Sequence, residues 1–499
     1  MRHEPSGGVI ASARLRIAVA IGVMVTAAPG RADDTNRADE PRSVNVPMIV
    51  LEELGVFLPP TIWYWRTKEH QAVDFDLGWD WKSWKAKLLT FEKVKFDTNP
   101  FYINAIRHPL KGALDYQIAR TNGMGMLGST VFASLMGAAW EYIIEYREAP
   151  SINDMLLNLN GGIAIGEPLW QFGQLWRGGR PSLGDRVRTA LLSPFDALHD
   201  GIRGPHRWWR PRLWRSLVFD AGLSSRHFDE GSRGELSLGA DLELVAHPDY
   251  ATSGAHHDAL RHGAWSRLKA RVWFADASTD HQIVATVVHS RTSISARYRQ
   301  DDAGNSTLVA LATAFTYRKE RLSGEWDKLA IAHLLGMHLQ LARRTPSYAV
   351  RCEVGMYADF ALVQAHVFGP VPPFPRPPPY HSALQANGYY DGGGLSVLTR
   401  LRADAGAWSL DAELASHASW QINGKDRDPV AQRTESTIPI TPQNAFDGRV
   451  FWHAGLLYRA GAQWGITAFA EGGYRRGMWH ELDRRSSDVA AGLALQLDL

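Results

Sequence analysis

The stretch GELSLGADLEL, residues 234–244, decides the fold of the C-terminal part of this chain. Its apolar residues, from Leu236 to Leu244, alternate with the polar or small residues from Glu235 to Glu243. Because successive side chains of a strand point to opposite faces, this strand has one apolar face and one polar face. A run of about ten residues with this pattern is typical of a strand that separates lipid from a polar lumen.

The same alternation recurs to the C-terminus, for example from Tyr348 to Asp359 and from Trp408 to Leu414. We predict twelve strands, at residues 215–227, 233–247, 263–276, 283–299, 306–319, 328–343, 347–363, 389–403, 407–421, 448–460, 463–477 and 488–499. An even number of strands is typical of bacterial outer-membrane barrels, so we predict an antiparallel transmembrane β-barrel over residues 208–499. The alternative, a soluble β-sandwich, explains neither the strand length nor the unequal loops.

The connections between the later predicted strands alternate between short and long. Residues 344–346, 404–406 and 461–462 are short turns, whereas residues 364–388, 422–447 and 478–487 are long. Short turns of outer-membrane barrels face the periplasm, which places both termini there. The proline-dense residues 367–382 predict a stiff outer loop, or else a constriction or partner contact. The last strand ends at Leu499 rather than at the aromatic residue common in barrels that the assembly machinery inserts.

Upstream of the barrel, the stretch WEYIIEYREAPSINDMLLNLNGGIAIGE, residues 140–167, predicts a helical hairpin. Proline disfavours helix in the residue before it, so Ala149-Pro150 separates a helix over residues 127–148 from one over residues 151–172. We expect Ser151 to cap the second helix and Asp154 to reach back to it. Close packing of the two helices is the expected role of Gly137, Gly161 and Gly162, and a ligand contact is the alternative.

The hairpin concentrates carboxylates in an apolar segment. Glu141, Glu145 and Glu148 share one helix face, and Asp154 and Asn158 share another. A buried carboxylate costs several kcal/mol unless it is paired, hydrogen-bonded or protonated. We therefore expect these groups to have a partner: Arg120, Arg147, His108, a cation or water.

A first-turn proline and an Asn-Gly stop predict another helix over residues 109–121, with His108 at its start. Residues 127–144 form the most hydrophobic segment after the N-terminal one. This segment is shorter than a typical transmembrane helix and runs directly into Glu141, so we expect it to be buried in protein.

These segments together resemble the core of an uncharacterised bacterial domain family found ahead of outer-membrane barrels, over about residues 75–185. The matching features are Asp97 to Asn99, His108-Pro109, Gly112, Tyr116, Ala119-Arg120, Asn122-Gly123, Trp140-Glu141, Glu145, Pro150 to Asp154 and Gly161 to Glu167. The resemblance implies a helical domain followed by a barrel, and it implies no activity. The expected fold class is α+β, with a helical domain at residues 75–190.

The N-terminus has basic residues, an apolar run at 17–28 and a small-residue site at Gly30 to Ala32, the layout of a secretory signal peptide over residues 1–32. Residues 33–74 are expected to be a leader and a tryptophan-containing linker. The tryptophans and lysines of residues 63–87 predict either an edge of the helical domain or a contact with lipid headgroups. The 45% hydrophobic content, the 45 glycines and the nearly balanced charge exclude a disordered or nucleic-acid-binding chain. The single Cys352 excludes an internal disulfide.

Two functional hypotheses follow. The sequence has no G-x-S-x-G, H-E-x-x-H or P-loop motif, and His256, His257 and His262 are too loosely spaced to predict a metal site, so we expect no cofactor and no metal. The first hypothesis is a barrel with a periplasmic or lumen-plugging helical domain, serving envelope transport or structure, with outer-membrane lipid, the barrel assembly machinery and an unknown small molecule or envelope component as partners. The alternative is an enzyme acting on lipid or envelope fragments through weak candidates in the hairpin: His108, Arg120, Glu141, Glu145 and Asp154.

Overall fold

The computed structural model describes most of the chain. The described residues are 43–70, 77–91, 94–97, 99–177, 181–204, 213–229, 231–247, 249–250, 252, 254–277, 280–322, 325–365, 388–422, 445–479 and 482–499. The predicted signal peptide and the proline-dense loop lie outside these residues.

The N-terminal part is helical. Its α-helices are α1 (Val46–His70), α2 (Trp81–Leu88), α3 (His108–Thr121), α4 (Met126–Ala139), α5 (Ile152–Gly161), α6 (Glu167–Leu175), α7 (Leu183–Leu192) and α8 (Pro194–Arg203). Three π-helical turns (Ile103–Arg107, Trp140–Ile144 and Gly162–Gly166) adjoin them. The predicted hairpin and the helix after Pro109 are confirmed. Helix α1 was missed because it contains Pro59 and Pro60, which disfavour helix in sequence reasoning.

The C-terminal part is built from β-strands. They are β1 (Trp214–Phe228), β2 (Gly231–Val245), β3 (His256–Leu260), β4 (Trp265–Ala277), β5 (Asp280–Gln300), β6 (Ser306–Leu322), β7 (Glu325–Arg344), β8 (Ala349–Gln364), β9 (Tyr390–Ala405), β10 (Trp408–Gln421), β11 (Ala445–Arg459), β12 (Trp464–Trp479) and β13 (Leu482–Asp498). Twelve of them match the twelve predicted strands. Strand β3 was not predicted, because five residues are too few to show a clear alternation.

The sheet closes on itself. Each wall strand pairs antiparallel with its neighbours, β1 pairs with β13, and β5 pairs with both β4 and β6. Strand β3 pairs with residues 296–300 of β5, beyond the point where the pairing of β4 ends. The wall is therefore a closed twelve-stranded barrel, as predicted.

Ion pairs between strands on opposite sides of the barrel identify the lumen face. The Arg267 guanidinium of β4 lies 2.7 Å from the Glu413 carboxylate of β10. Arg449 of β11 lies 2.5 Å from Asp327 of β7. These strands are not neighbours, so these side chains meet inside the barrel, and the residues that alternate with them point outward.

The helical region packs against the outward face. On β6 to β8 the outward residues Phe315, Ala332 and Phe360 are buried in one apolar cluster with helical residues that include Leu157 and Ile165. This wall is the surface that a membrane barrel normally presents to lipid. The described helical residues thus lie outside the barrel, which corrects the expectation of a plug in the lumen. The sequence could not distinguish a position inside the lumen from one on the outer wall, because the same helical hairpin is expected in both.

The contact runs from one rim of the barrel to the other. Near the rim where β1 begins, Leu217 and Leu244 pack against Phe172 and Leu192 of the helical region. Phe360 lies close to the opposite rim, where β8 ends. Because this contact covers the height of the wall, the helical region is not confined to the periplasmic side of the described structure.

Two helices keep an apolar face uncovered. By length and composition, the segments Val46–Thr67 and Met126–Ile144 are long and apolar enough to cross a membrane. In α4 the side chains of Leu127, Val131 and Leu135 are each more than half exposed, whereas Ala133 is buried. The expectation that residues 127–144 are buried in protein is therefore wrong for one face of the helix and right for the other.

Candidate functional site

The candidate site lies where α3, α4 and α5 meet. A Cβ atom at Gly112 would lie 1.9 Å from the carbonyl oxygen of Asn158, and one at Gly161 would lie 2.2 Å from that of Pro109. A Cβ at Gly137 would lie 3.3 Å from the Asn158 side chain. The backbones approach this closely only because these positions lack a side chain. Packing thus accounts for the glycines of the hairpin.

Asp97 enters this interface from the segment before α3. Its carboxylate accepts hydrogen bonds from the Nδ2 atoms of Asn104, at 2.7 Å, and Asn153, at 2.6 Å, and also from Asn99. Its own N–H donates to Asn153 Oδ1 at 3.0 Å. Burial raises the pKa of the Asp97 carboxyl, and the hydrogen bonds from Asn153 and Asn104 oppose that rise. Asp97 was not among the predicted site residues, although its place in the Asp97 to Asn99 motif was noted.

Glu141 caps the second helix of the hairpin. Its Oε2 atom accepts the N–H of Ser151 at 2.8 Å, while Ser151 Oγ accepts the N–H of Asp154 at 3.3 Å. The predicted cap at Ser151 is confirmed. The group that reaches back to it is Glu141, from the other helix of the hairpin, and not Asp154 as predicted.

Asp154 and His108 face each other. Asp154 Oδ2 lies 3.3 Å from His108 Nε2. Burial raises the pKa of Asp154, and the nearby Asp97 and Glu141 carboxylates raise it further. Burial, together with the positive charges of Lys111 and Arg107, lowers the pKa of His108 to about 3. Both shifts disfavour the charged forms of Asp154 and His108, so they weaken the ionic attraction between the two side chains.

Several buried polar atoms in this interface lack a protein partner. Among the described residues, Glu141 Oε1, Asp154 Oδ1 and both amide atoms of Asn158 accept or donate no hydrogen bond. Such atoms cost free energy unless water, a proton or a ligand satisfies them. We define His108, Glu141, Asp154 and Asn158 as the polar cluster. It offers carboxyl, imidazole and amide groups that could bind a cation or exchange protons, and it offers no hydroxyl nucleophile.

Arg120 is not part of the polar cluster. Its Nε and Nη2 atoms donate to the two carboxylate oxygens of Glu167, at 2.8 and 2.9 Å. Tyr116 donates to the same carboxylate at 2.6 Å, and Gln171 links it to the barrel by donating to the carbonyl oxygen of Gly263 at 2.6 Å. The expected pairing of Arg120 with Glu141, Glu145, Glu148 or Asp154 is therefore wrong, because the Arg120 guanidinium donates to Glu167 instead.

Lys87 ends the first helix of the hairpin. Its buried ammonium donates to the carbonyl oxygens of Glu141, Glu145, Tyr146 and Glu148, at 2.6 to 3.3 Å. A cation at a helix C-terminus satisfies free carbonyl groups and stabilises the helix dipole. Glu145 thus contributes its main chain to a cap. Lys87 was missed because it stands among lysines that look solvent-exposed in the sequence.

One group of the described residues has the side chains and spacing of a metal site: His247, His256 and Asp258. His247 Nε2 lies 3.0 Å from Asp258, and its Nδ1 accepts the N–H of Asp249 at 3.2 Å. A ring nitrogen that accepts a hydrogen bond carries no proton, so the proton of a neutral His247 lies on Nε2 and points at Asp258. Both nitrogens are thus engaged, and the group is a hydrogen-bonded turn rather than a metal site.

The closed antiparallel barrel has a charged face toward its lumen and an apolar face on the outside. These features define the class: this is an outer-membrane β-barrel protein with an attached helical region. Residues 93–195 match the family described as "Domain of unknown function (DUF3943)". That match confirms the resemblance to an uncharacterised family noted in the sequence, and it covers the whole polar cluster.

The similar solved structures are membrane barrels. The translocator domain of the autotransporter NalP from Neisseria meningitidis is 12% identical, with 62% of this chain and 96% of that chain covered and a TM-score of 0.20. The Pseudomonas putida toluene transporter TodX is 8% identical, with 58% and 90% covered and a TM-score of 0.22. These scores are too low to carry an argument about function. No curated protein matches the chain.

Proposed function

We propose that this protein is a structural component of the outer membrane, in which a closed barrel holds the helical region against its lipid-facing wall. The observation that carries this proposal is the burial of outward barrel residues, among them Phe315, Ala330 and Phe360, by helical residues. A barrel that covers its own lipid face with a helical region presents that region at the depth of the membrane.

The lumen supports a structural role over a transport pore. Arg226 of β1 donates to Glu235 of β2, Glu471 of β12 and Asp488 of β13 at 2.5 to 2.9 Å, and so joins four neighbouring strands on the lumen side. Arg475 adds a pair with Asp488 at 2.6 Å. Arg475 of β12 also pairs with Glu320 of β6, and Arg267 of β4 with Glu413 of β10, so ion pairs cross the lumen. Removing one partner of such a buried pair costs about 3 to 5 kcal/mol.

We also propose how the chain is delivered and oriented. Residues 1–32 serve as a signal peptide, residues 33–74 as a leader and linker that contains α1, residues 75–190 as the helical domain and residues 208–499 as the barrel. Both termini face the periplasm, outer-membrane lipid contacts the exposed apolar faces, and the barrel assembly machinery inserts the wall.

Conductance in planar bilayers tests the structural role. We expect the purified full-length chain to give no steady open channel, because charged side chains bridge the lumen. A triple variant, Arg226→Ala, Arg267→Ala and Arg475→Ala, removes three bridging cations and is expected to leak ions. A steady channel in the parent protein would overturn the structural role and favour transport.

Spin-label accessibility tests the place of the helical region. In a Cys352→Ser background, a nitroxide at Val131→Cys should collide more with oxygen than with a water-soluble nickel complex, because this helix face contacts lipid. The control, Ser347→Cys, lies on an exposed turn between β7 and β8 and should show the reverse preference. Preference for the nickel complex at Val131 would place the helical region in water.

A second candidate function rests on the unpartnered atoms of the polar cluster. In it the cluster binds a cation or acts as acid and base on a lipid or envelope fragment. Thermal unfolding with and without Ca²⁺, Mg²⁺ or Zn²⁺ tests it: stabilisation of the parent protein that disappears in Glu141→Gln would support a cation site. Identical melting of parent and variant in every metal would leave the cluster a structural network.

A further inference from the structure

A chain of hydrogen bonds inside the barrel joins five strands. Thr316 Oγ1 of β6 lies 2.9 Å from His333 Nε2 of β7, and His333 Nδ1 lies 2.7 Å from Asp359 Oδ1 of β8. On the other side of Thr316, His289 Nδ1 of β5 lies 2.9 Å from the same hydroxyl. Ser396 of β9 donates to the second carboxylate oxygen of Asp359.

Asp359 determines which atom donates and which accepts in each of these hydrogen bonds. A carboxylate only accepts hydrogen bonds, so Asp359 fixes the proton of His333 on Nδ1. His333 Nε2 is then an acceptor and receives the hydroxyl proton of Thr316. Thr316 in turn accepts from His289 Nδ1. A hydroxyl that donates to an imidazole, whose other nitrogen donates to a carboxylate, is the arrangement that activates a nucleophile.

The hydroxyl opens onto a cavity. Thr316, His289, Arg291, Arg318, His417 and Phe451 are among the residues that line a space of about 160 Å³ in the lumen. The Nε–H groups of Arg291 and Arg318 have no hydrogen-bond acceptor among the described residues. Free guanidinium donors beside a nucleophile can stabilise the negative oxygen that forms during acyl transfer.

A third observation concerns the backbone around His333. The pairings of β5 with β6, β6 with β7 and β7 with β8 each contain an irregularity, near Ile294, Thr313 and Leu334. Bulges redirect side chains and are frequent next to active sites. Asn160 of the helical region lies over this point and donates to Thr313 Oγ1 and to the carbonyl oxygens of Ala314 and His333. The helical region thus fixes the strand that carries His333.

We propose that Thr316 and His333 are the nucleophile and general base of an esterase site in the barrel lumen, with Asp359 as a positioning residue. The substrate class is a small carboxylic ester. Thr316 Oγ1 attacks the carbonyl carbon and its proton passes to His333 Nε2. The alcohol leaves with that proton, and water, deprotonated by His333, hydrolyses the acyl-Thr316 ester to the acid. The net reaction consumes one ester and one water, and it yields one acid and one alcohol.

Covalent labelling of the full-length protein in detergent micelles tests the nucleophile. Diisopropyl fluorophosphate should add one diisopropyl phosphoryl group, which mass spectrometry should locate on the peptide that contains Thr316. Thr316→Val keeps the shape of the side chain and removes the nucleophile, so it should abolish this adduct. The control, Thr399→Val, changes a threonine on the outward face of β9, whose hydroxyl donates to the carbonyl oxygen of Leu414 at 3.5 Å, and should label like the parent.

The base and the positioning residue are tested by rate. His333→Gln should slow labelling at least tenfold. Asp359→Asn should slow it and move the midpoint of its rate–pH profile to lower pH, because the imidazolium loses its carboxylate. Each variant must keep the heat-shifted gel mobility of the parent, which reports the folded barrel. No adduct in the parent, an adduct retained in Thr316→Val or equal loss in Thr399→Val would each overturn the proposal.

Discussion

Asn160 Nδ2 lies 3.0 Å from Thr313 Oγ1, at the bulge of β6 on the barrel wall. The same amide group donates to the carbonyl oxygens of Ala314 and His333, at 3.1 and 3.3 Å. One side chain of the helical region therefore donates hydrogen bonds to oxygen atoms of β6 and β7 at the point where the strand pairing is irregular. These hydrogen bonds are directional, so they fix the position of the helical region on the barrel wall. The apolar contacts around them are not directional.

Asn160→Ala should loosen the helical region from the barrel. The Ala314 carbonyl oxygen and the Thr313 hydroxyl would lose the amide donor, which costs about 1 to 3 kcal/mol, whereas the His333 carbonyl oxygen keeps the Thr313 hydroxyl as a donor. Limited proteolysis should then cleave within residues 94–175 faster than in the parent, while the barrel keeps its heat-shifted mobility. The matched control is Gln463→Ala, an exposed amide at a turn, which should leave the cleavage rate unchanged.

Gly112→Ala should prevent the three-helix interface from forming. Its methyl group would lie 1.9 Å from the carbonyl oxygen of Asn158, and backbone cannot move aside as a flexible side chain can. Gly128→Ala, in the neighbouring helix α4, meets nothing closer than 3.7 Å and should stabilise that helix by about 0.5 to 1 kcal/mol. Thermal unfolding followed by circular dichroism compares the two; equal melting temperatures would contradict the packing described here.

Glu167 should be more important for stability than the carboxylates at the surface. Arg120→Met would leave the buried Glu167 carboxylate without its guanidinium partner, at a cost of about 3 to 5 kcal/mol. Asp483→Asn breaks the exposed pair of Arg476 and Asp483 and should have no measurable effect. Denaturant unfolding of the helical region measures both; a tolerated Arg120→Met would show that Tyr116 and Gln171 suffice to hold Glu167.

Asp154→Asn should change how stability depends on pH. Burial raises the pKa of Asp154 in the folded protein, so the folded state holds a proton that the unfolded state loses at lower pH. The stability of the parent therefore falls as pH rises from the ordinary range of an aspartate through the raised pKa. The asparagine cannot ionise, so the variant should gain stability relative to the parent as the pH rises through that range. Parallel melting curves across this range would contradict a protonated Asp154.

The orientation of the barrel predicts different access to two inserted epitopes. An epitope between Pro373 and Pro377 should bind antibody on intact cells, because the proposed orientation places the long connections outside the cell. An epitope at Asp404, on the short turn between β9 and β10, should bind only after the outer membrane is permeabilised. The opposite pattern would place the termini outside the cell.

The sequence by itself determined the barrel, because the alternation that predicts each strand depends only on neighbouring residues. Period-two alternation is a property of each strand alone, and it located all twelve wall strands between Trp214 and Asp498. The hairpin and the cap at Ser151 were likewise readable from neighbouring residues. Short β3 and proline-containing α1 were missed because their local signals are weak or contrary to their structure.

Only the tertiary structure decided how these parts meet. The partner of Arg120 is Glu167 rather than Glu141, Glu145 or Asp154, and Glu141 rather than Asp154 closes the cap at Ser151. The helical region lies on the outer wall, and Thr316, His333 and Asp359 come together from three strands. An amphipathic pattern shows that a buried polar residue needs a hydrogen-bond partner. Several residues of the right chemistry are available, and only the packing of the folded chain determines which of them lies within hydrogen-bond distance.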